Sequence, residues 1–67
     1  MSASGEIELK YDIEILNVKR QIAEQQGKMT QAQREAAEMS IKNLQQDKQY
    51  YVQQAEQAEK IAKALRD

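Results

Sequence analysis

Few side chains in this sequence carry reactive chemistry, and those that do are carboxylates. There is no histidine and no cysteine, which removes the usual proton shuttles, thiolate nucleophiles and soft metal ligands. Glu35 with Glu38, and Glu56 with Glu59, stand three residues apart, a spacing that puts two carboxylates on one helix face for acid/base work or a hard cation. Arg34 and Lys42 flank the first pair and Lys60 and Lys63 the second, which is how a solvated, charge-balanced face reads. Gly5 and Gly27 stand alone, so no glycine-rich phosphate cradle is present. A monomer of 67 residues is too small to line a pocket of its own. The expectation is no enzyme, no cofactor and no metal. The adjacent aromatics Tyr50 and Tyr51 could anchor a partner, or Tyr51 could be a core residue flanked by Tyr50.

The backbone that must carry these groups reads as helix. Proline is absent and glycine occurs at only two positions, while Ala, Glu, Gln, Lys and Leu dominate from residue 31 onward. The one internal interruption is Gln26-Gly27-Lys28-Met29-Thr30. There Gly27 can take the left-handed conformation that ends a helix, and Thr30 with Gln33 forms a capping box that opens the next. Residues 1–5 are small and polar and are expected to be a mobile terminus. Residues 6–67 form a single unit: a helix over 6–26, a turn at 27–30 and a helix over 31–66. The fold class is all-α, a helical hairpin with a long second helix.

After the turn, Ala37, Ile41, Leu44, Lys48, Tyr51, Ala55, Ala58, Ala62 and Leu65 recur at steps of four and three, a heptad pattern that predicts coiled-coil character and a left-handed supercoil. A lone amphipathic helix would follow a 3.6-residue period and bring Asp47 and Gln54 into the stripe. Lys48 at a core position would fix register or oligomer state, or snorkel to solvent. Glu38 with Lys42, Glu56 with Lys60 and Glu59 with Lys63 place an acid four residues before a base. The expected interaction surface is Ile41, Leu44, Tyr50, Tyr51, Ala55, Ala58, Ile61, Ala62 and Leu65.

The first arm carries two periodicities. Ile7, Tyr11, Ile15, Val18 and Ile22 share one helical face, and Leu9, Ile13, Leu16 and Ala23 a nearly opposite one. One hairpin partner cannot cover both. Yet Ile7, Leu9, Tyr11, Ile13 and Ile15 also alternate with charged residues, a strand signal. A short N-terminal strand followed by two helices is therefore the alternative fold. Folded as an antiparallel pair, the arms set Tyr11 near Leu44 and Ile7 near Tyr50 and Tyr51, leaving residues 51–66 without an intramolecular partner. Ordering those residues costs roughly 1.5 kcal/mol each, and few of them are large and apolar. With neither disulfide nor zinc to help so small a core, the hairpin is expected to be oligomeric or to meet another chain.

Ile7-Glu-Leu-Lys-Tyr followed by Glu14-Ile-Leu-Asn-Val-Lys-Arg-Gln-Ile-Ala-Glu-Gln-Gln-Gly27 resembles the strand, first helix and glycine turn of ribbon-helix-helix repressors of the Arc type, over about a third of the chain. The resemblance implies a dimer whose paired strands enter the DNA major groove. It would make Glu6, Glu8 and Lys10 the DNA-facing residues. Two carboxylates toward a polyanion are unfavourable, although a glutamate can accept from cytosine. Met29, Ala32, Ala36 and Met39 do not match the phase of that family's second helix, and this chain carries additional helical residues beyond it.

A formal net charge of −1, with bases interleaved among acids, does not favour nucleic acid. No apolar run approaches a membrane span and nothing at the start resembles a secretion signal, so a cytoplasmic or virion-associated protein is expected. The leading functional expectation is a non-enzymatic structural or adaptor protein that binds protein partners or itself: an assembly factor, a small complex subunit or a phage-type accessory protein. A ribbon-helix-helix regulator is the alternative, and an inhibitor covering a larger partner's surface is the third.

Overall fold

In the computed structural model, residues 2–66 are described as two antiparallel helices. Met1, at the head of the expected mobile terminus, and Asp67, at the end of the hairpin, lie outside the described residues.

Helix α1 spans Ala3–Glu24, three residues further toward the N-terminus than the sequence pattern predicts. The cause is a cap. Ser2 is extended, and its hydroxyl accepts from the Gly5 amide at 3.0 Å, satisfying one of the donors that a helix start leaves orphaned. Glu6 adds negative charge in that first turn, where the helix dipole favours it. Residues 3–5, expected in the mobile terminus, are therefore the first turn of α1.

The strand alternative is not adopted: residues 7–11 lie inside α1, and no strand occurs among the described residues. The alternating apolar residues are instead divided between two sides of one helix. Glu6, Glu8 and Lys10, which the resemblance would place on a DNA-facing strand, are helical residues.

The turn forms as its residue types dictate. The Gln25 amide donates to the Gln21 carbonyl at 3.0 Å and the Lys28 amide to the Gln25 carbonyl at 2.9 Å. Gly27 then takes φ 89°, open to glycine and strained for other L-residues. Helix α2, Gln31–Arg66, begins at a reciprocal capping box. The Gln33 amide donates to Thr30 Oγ1 at 3.1 Å, and the Thr30 amide donates to Gln33 Oε1 at 2.9 Å.

The two helices make one layer. Its Cα atoms extend 57 × 18 × 6 Å with a radius of gyration of 16.3 Å, against roughly 11 Å for a globule of this chain length. A single layer of two helices shields only the seam between them, and Ile15, 7% exposed, is the one hydrophobic side chain buried among the described residues.

Half-buried or buried positions along α1 include Ser4, Ile7, Tyr11, Ile15, Val18 and Ile22, and along α2 Ala37, Ile41, Leu44, Lys48, Val52, Ala55 and Glu59. These sets recur at eleven residues: 4 with 15, 7 with 18 and 11 with 22; then 37 with 48 and 59, 41 with 52, and 44 with 55. Eleven residues in three turns is about 3.67 per turn, close to an unperturbed helix, whereas a seven-residue repeat drifts by about 20° per heptad on such a helix. The heptad stripe therefore rotates off the seam. Val52 and Glu59 occupy the places that the heptad reading gives to Tyr51 and Ala58, which are exposed.

The facing pairs also differ from the expected ones. Tyr11 meets Tyr51 and Ser4 meets Glu59, so each contact lies further toward the open end than a level-by-level pairing gives. Helical side chains lean toward their own N-terminus. In an antiparallel pair, α1 side chains thus reach toward the open end and those of α2 toward the turn. Together with the longer α1, this shortens the stretch of α2 beyond its partner from the expected 51–66 to about 60–66.

Candidate interaction surface

The seam uses part of the expected surface internally. Ile41, Leu44 and Ala55 are half-buried against α1, whereas Tyr50, Tyr51, Ala58, Ile61, Ala62 and Leu65 are exposed, Leu65 at 84%. Outside the seam on α1, Leu9, Ile13 and Leu16 are 49, 51 and 54% exposed. These three belong to the second stripe that the sequence showed one partner could not cover. Met39, on α2, which level-by-level pairing would set opposite Val18 and which continues the series Met29, Ala32 and Ala36, is likewise exposed.

Lys48 crosses the seam. Its Nζ lies 2.7 Å from Asp12 Oδ1 and 3.8 Å from Glu8 Oε1. The hydrogen bond from Lys48 to Asp12 pushes the ammonium above its ordinary value; partial desolvation opposes this, and the Asp12 and Glu8 charges add to it. The lysine at a core position is thus held by carboxylates of the facing arm. Those carboxylates lie one turn apart on α1, so the contact favours one alignment of the two helices.

Beside it sits an aromatic cluster. Tyr11 and Tyr51 lie with ring centroids 6.3 Å apart and planes 11° from parallel, and Tyr50 meets Tyr51 edge-on at 5.2 Å, both within the separations aromatic pairs prefer. Packing in the seam pushes the Tyr11 phenol above its ordinary value, with Asp47, Tyr51 and Glu14 adding to the effect. Tyr51 serves the hairpin through one ring face while remaining exposed, and Tyr50 flanks it.

Three of the four paired carboxylates make polar contacts within the hairpin. Glu35 accepts from Gln31 Nε2 at 3.2 Å. Glu38 lies 3.5 Å from Arg34 Nε, the base on its N-terminal side rather than Lys42. Glu59 reaches across the seam to Ser4: Oε1 accepts from the amide at 2.9 Å and Oε2 from the hydroxyl at 3.2 Å. That places an acid of α2 at the positive end of α1, where the sequence suggested a pairing with Lys63. Among the described residues, no three metal-ligating side chains converge, and no helix is long and apolar enough to cross a membrane.

The two larger depressions described on this surface are open. One of about 390 Å³ is lined by Glu6, Leu9, Lys10, Ile13 and Glu14 on α1, and one of about 350 Å³ by Glu35, Glu38, Met39 and Lys42 on α2. Each follows a single helix, so neither is an enclosed site for a small molecule; both have the form of grooves between side-chain rows.

The class the geometry defines is an antiparallel two-helix hairpin with uncovered apolar faces. No family model matches the chain, no curated protein is detectably similar to it, and no solved structure matches it.

Proposed function

We propose that this chain is a non-enzymatic structural or adaptor protein that binds other proteins, copies of itself included, through helix faces of coiled-coil type left uncovered by its hairpin. One observation carries the reading. Among the described residues only Ile15 is a buried hydrophobic side chain, while Leu9, Ile13, Leu16, Met39, Tyr50, Tyr51, Ile61 and Leu65 remain exposed. Scattered apolar residues are ordinary on a protein surface. Here, however, they outnumber the core, and several are grouped on one side of a helix, which marks an association surface. Helix-in-groove recognition, with anchors at three- and four-residue spacing, is the binding mode such faces serve. An assembly factor or the small subunit of a larger complex fits this description.

Sedimentation of the purified chain across a concentration series is the test. A reversible rise in mass at micromolar concentration is expected, with helical content increasing alongside it. A well-folded monomer at every concentration would remove self-association, and an unfolded monomer would point to an obligate partner of different sequence.

A further inference from the structure

The buried stripes of the two arms share a phase. Ser4, Tyr11, Ile15 and Ile22 each have a counterpart 33 positions on, at Ala37, Leu44, Lys48 and Ala55, all buried or half-buried. Ile7 and Val18 miss Ile41 and Val52 by one place. Thirty-three residues are three of the eleven-residue units of the seam, nine full turns at about 3.67 per turn. Were residues 25–30 helical, both stripes would therefore lie along one side of a single helix, a slight right-handed supercoil absorbing the difference from a period of about 3.6. Gln26, Met29 and Gln33 continue the stripe through the turn at the same spacing, and Met29 is half-buried in the hairpin.

The turn is held from within. Its hydrogen bonds are local: Gln25 to Gln21, Gln26 to Ala23, Lys28 to Gln25, and the box of Thr30 and Gln33. A Cβ at Gly27 would meet no atom within 4 Å, and a hollow of about 30 Å³ lies beside it, between Ile22, Gln26, Met29 and Arg34. Gln25, Gln26, Lys28 and Met29 are good helix formers, which leaves Gly27 and Thr30 to oppose a continuous helix.

Going beyond association through uncovered faces, we propose that two copies exchange arms: each opens at Gly27 into one continuous helix, and α1 of one chain takes the place on α2 of the other that it holds within the hairpin. The seam itself selects this partner. Tyr11 with Tyr51, Asp12 with Lys48 and Ser4 with Glu59 are contacts between antiparallel arms, and their midpoints all fall between residues 30 and 32. Two straight antiparallel chains centred there make each contact twice, whereas a partner of other sequence would have to supply them anew. The exchanged dimer keeps the seam and replaces two turns by continuous helix, so concentration sets the balance between the two forms.

Because the chain has no cysteine, paired cysteines report which chain supplies each arm. Ser4→Cys with Glu59→Cys, refolded at high micromolar concentration and bridged with a short bifunctional thiol reagent, is expected to give a covalent dimer in denaturing electrophoresis. Dilute samples should give a bridged monomer. Small-angle scattering of the concentrated chain should show a rod of about 95 Å, from 1.5 Å per residue, against 57 Å for the hairpin. Gly27→Ala strains the turn and favours helix, and each dimer contains two such hinges, so dimerisation should strengthen at least about tenfold. Two glycines inserted after Gly27 should weaken it by a similar factor. If the unaltered chain dimerises yet the bridged product stays monomeric at every concentration, arm exchange is overturned and association through the uncovered faces stands. If the chain sediments as a folded monomer throughout and Gly27→Ala leaves it so, both fall.

Discussion

Glu59 and Ser4, 55 positions apart in sequence, clasp the open end of the hairpin through two hydrogen bonds, from the Ser4 amide at 2.9 Å and from its hydroxyl at 3.2 Å. Gly27 closes the other end. Between them the hairpin has one buried hydrophobic side chain among the described residues, so polar contacts at the ends carry an unusual share of the task of holding the arms in register.

Replacing Glu59 with alanine should therefore cost about 1 kcal/mol, the scale of a lost helix cap, and lower the thermal midpoint by about 4–8 °C. Thermal unfolding followed by circular dichroism checks the magnitude. Hydrogen exchange checks the location: the Ser4 amide should lose protection while amides near Ile15 keep theirs. Uniform loss along both helices would contradict a local clasp.

At the turn, Gly27→Ala should cost roughly 1–2 kcal/mol, because an L-residue is strained at positive φ. The φ is 89° and an added Cβ meets no atom within 4 Å, so the penalty is conformational rather than steric. Gly27→Asn should cost less, since asparagine tolerates the left-handed region better. Equal losses for both variants, measured by urea unfolding, would point away from backbone strain.

Ile15→Ala should destabilise the hairpin by about 2 kcal/mol, at the low end for removing a buried branched side chain because the seam is only one layer deep. Leu16→Ala, one residue further on but half exposed, should leave dilute samples almost unchanged and lower stability only as protein concentration rises. Denaturation curves at two well-separated concentrations distinguish the two behaviours.

Alkaline titration tests the seam's polar contacts. Tyr11 and Lys48 are both raised from ordinary values of 10.0 and 10.5, so the folded state holds each proton more tightly than the unfolded chain does. Their contributions are complete below those values and are lost as pH climbs through the raised folded range. Stability should accordingly decline above about pH 10. Tyr11→Phe should remove the late component of tyrosinate absorbance, and Lys48→Met should flatten the decline further. A flat profile in the unaltered chain would contradict both contacts.

The turn and the cap of α2 were legible because their signals are local: Gly27 for positive φ, and Thr30 with Gln33 for a reciprocal box; α1 stops at Glu24 with Gln25 as its cap, two residues before the expected end at 26. The span of α2 followed from composition. The start of α1 was missed because a serine followed three residues later by glycine lacks the acid of a capping box; Ser2 and the acidic Glu6 were the available signals. Register was misplaced because level-by-level pairing ignores the lean of helical side chains. The role of Glu59 was hidden for a different reason. Its spacing to Lys63 offers a local partner, and only the folded hairpin shows that Ser4 is nearer. The uncovered stripe of Leu9, Ile13 and Leu16 was visible once the first arm was drawn as a helix, since two nearly opposite apolar faces cannot both meet α2.

The eleven-residue recurrence of the seam makes the hairpin behave as a ruler. Adding eleven residues to each arm would return every following side chain to its former side, about 16 Å farther along, so the two arms would still meet face to face. Adding five would turn the following side chains by about 140°, away from the seam. Length in this architecture is therefore adjustable in whole units, and the distance between the turn and the clasped end can be set without redesigning either.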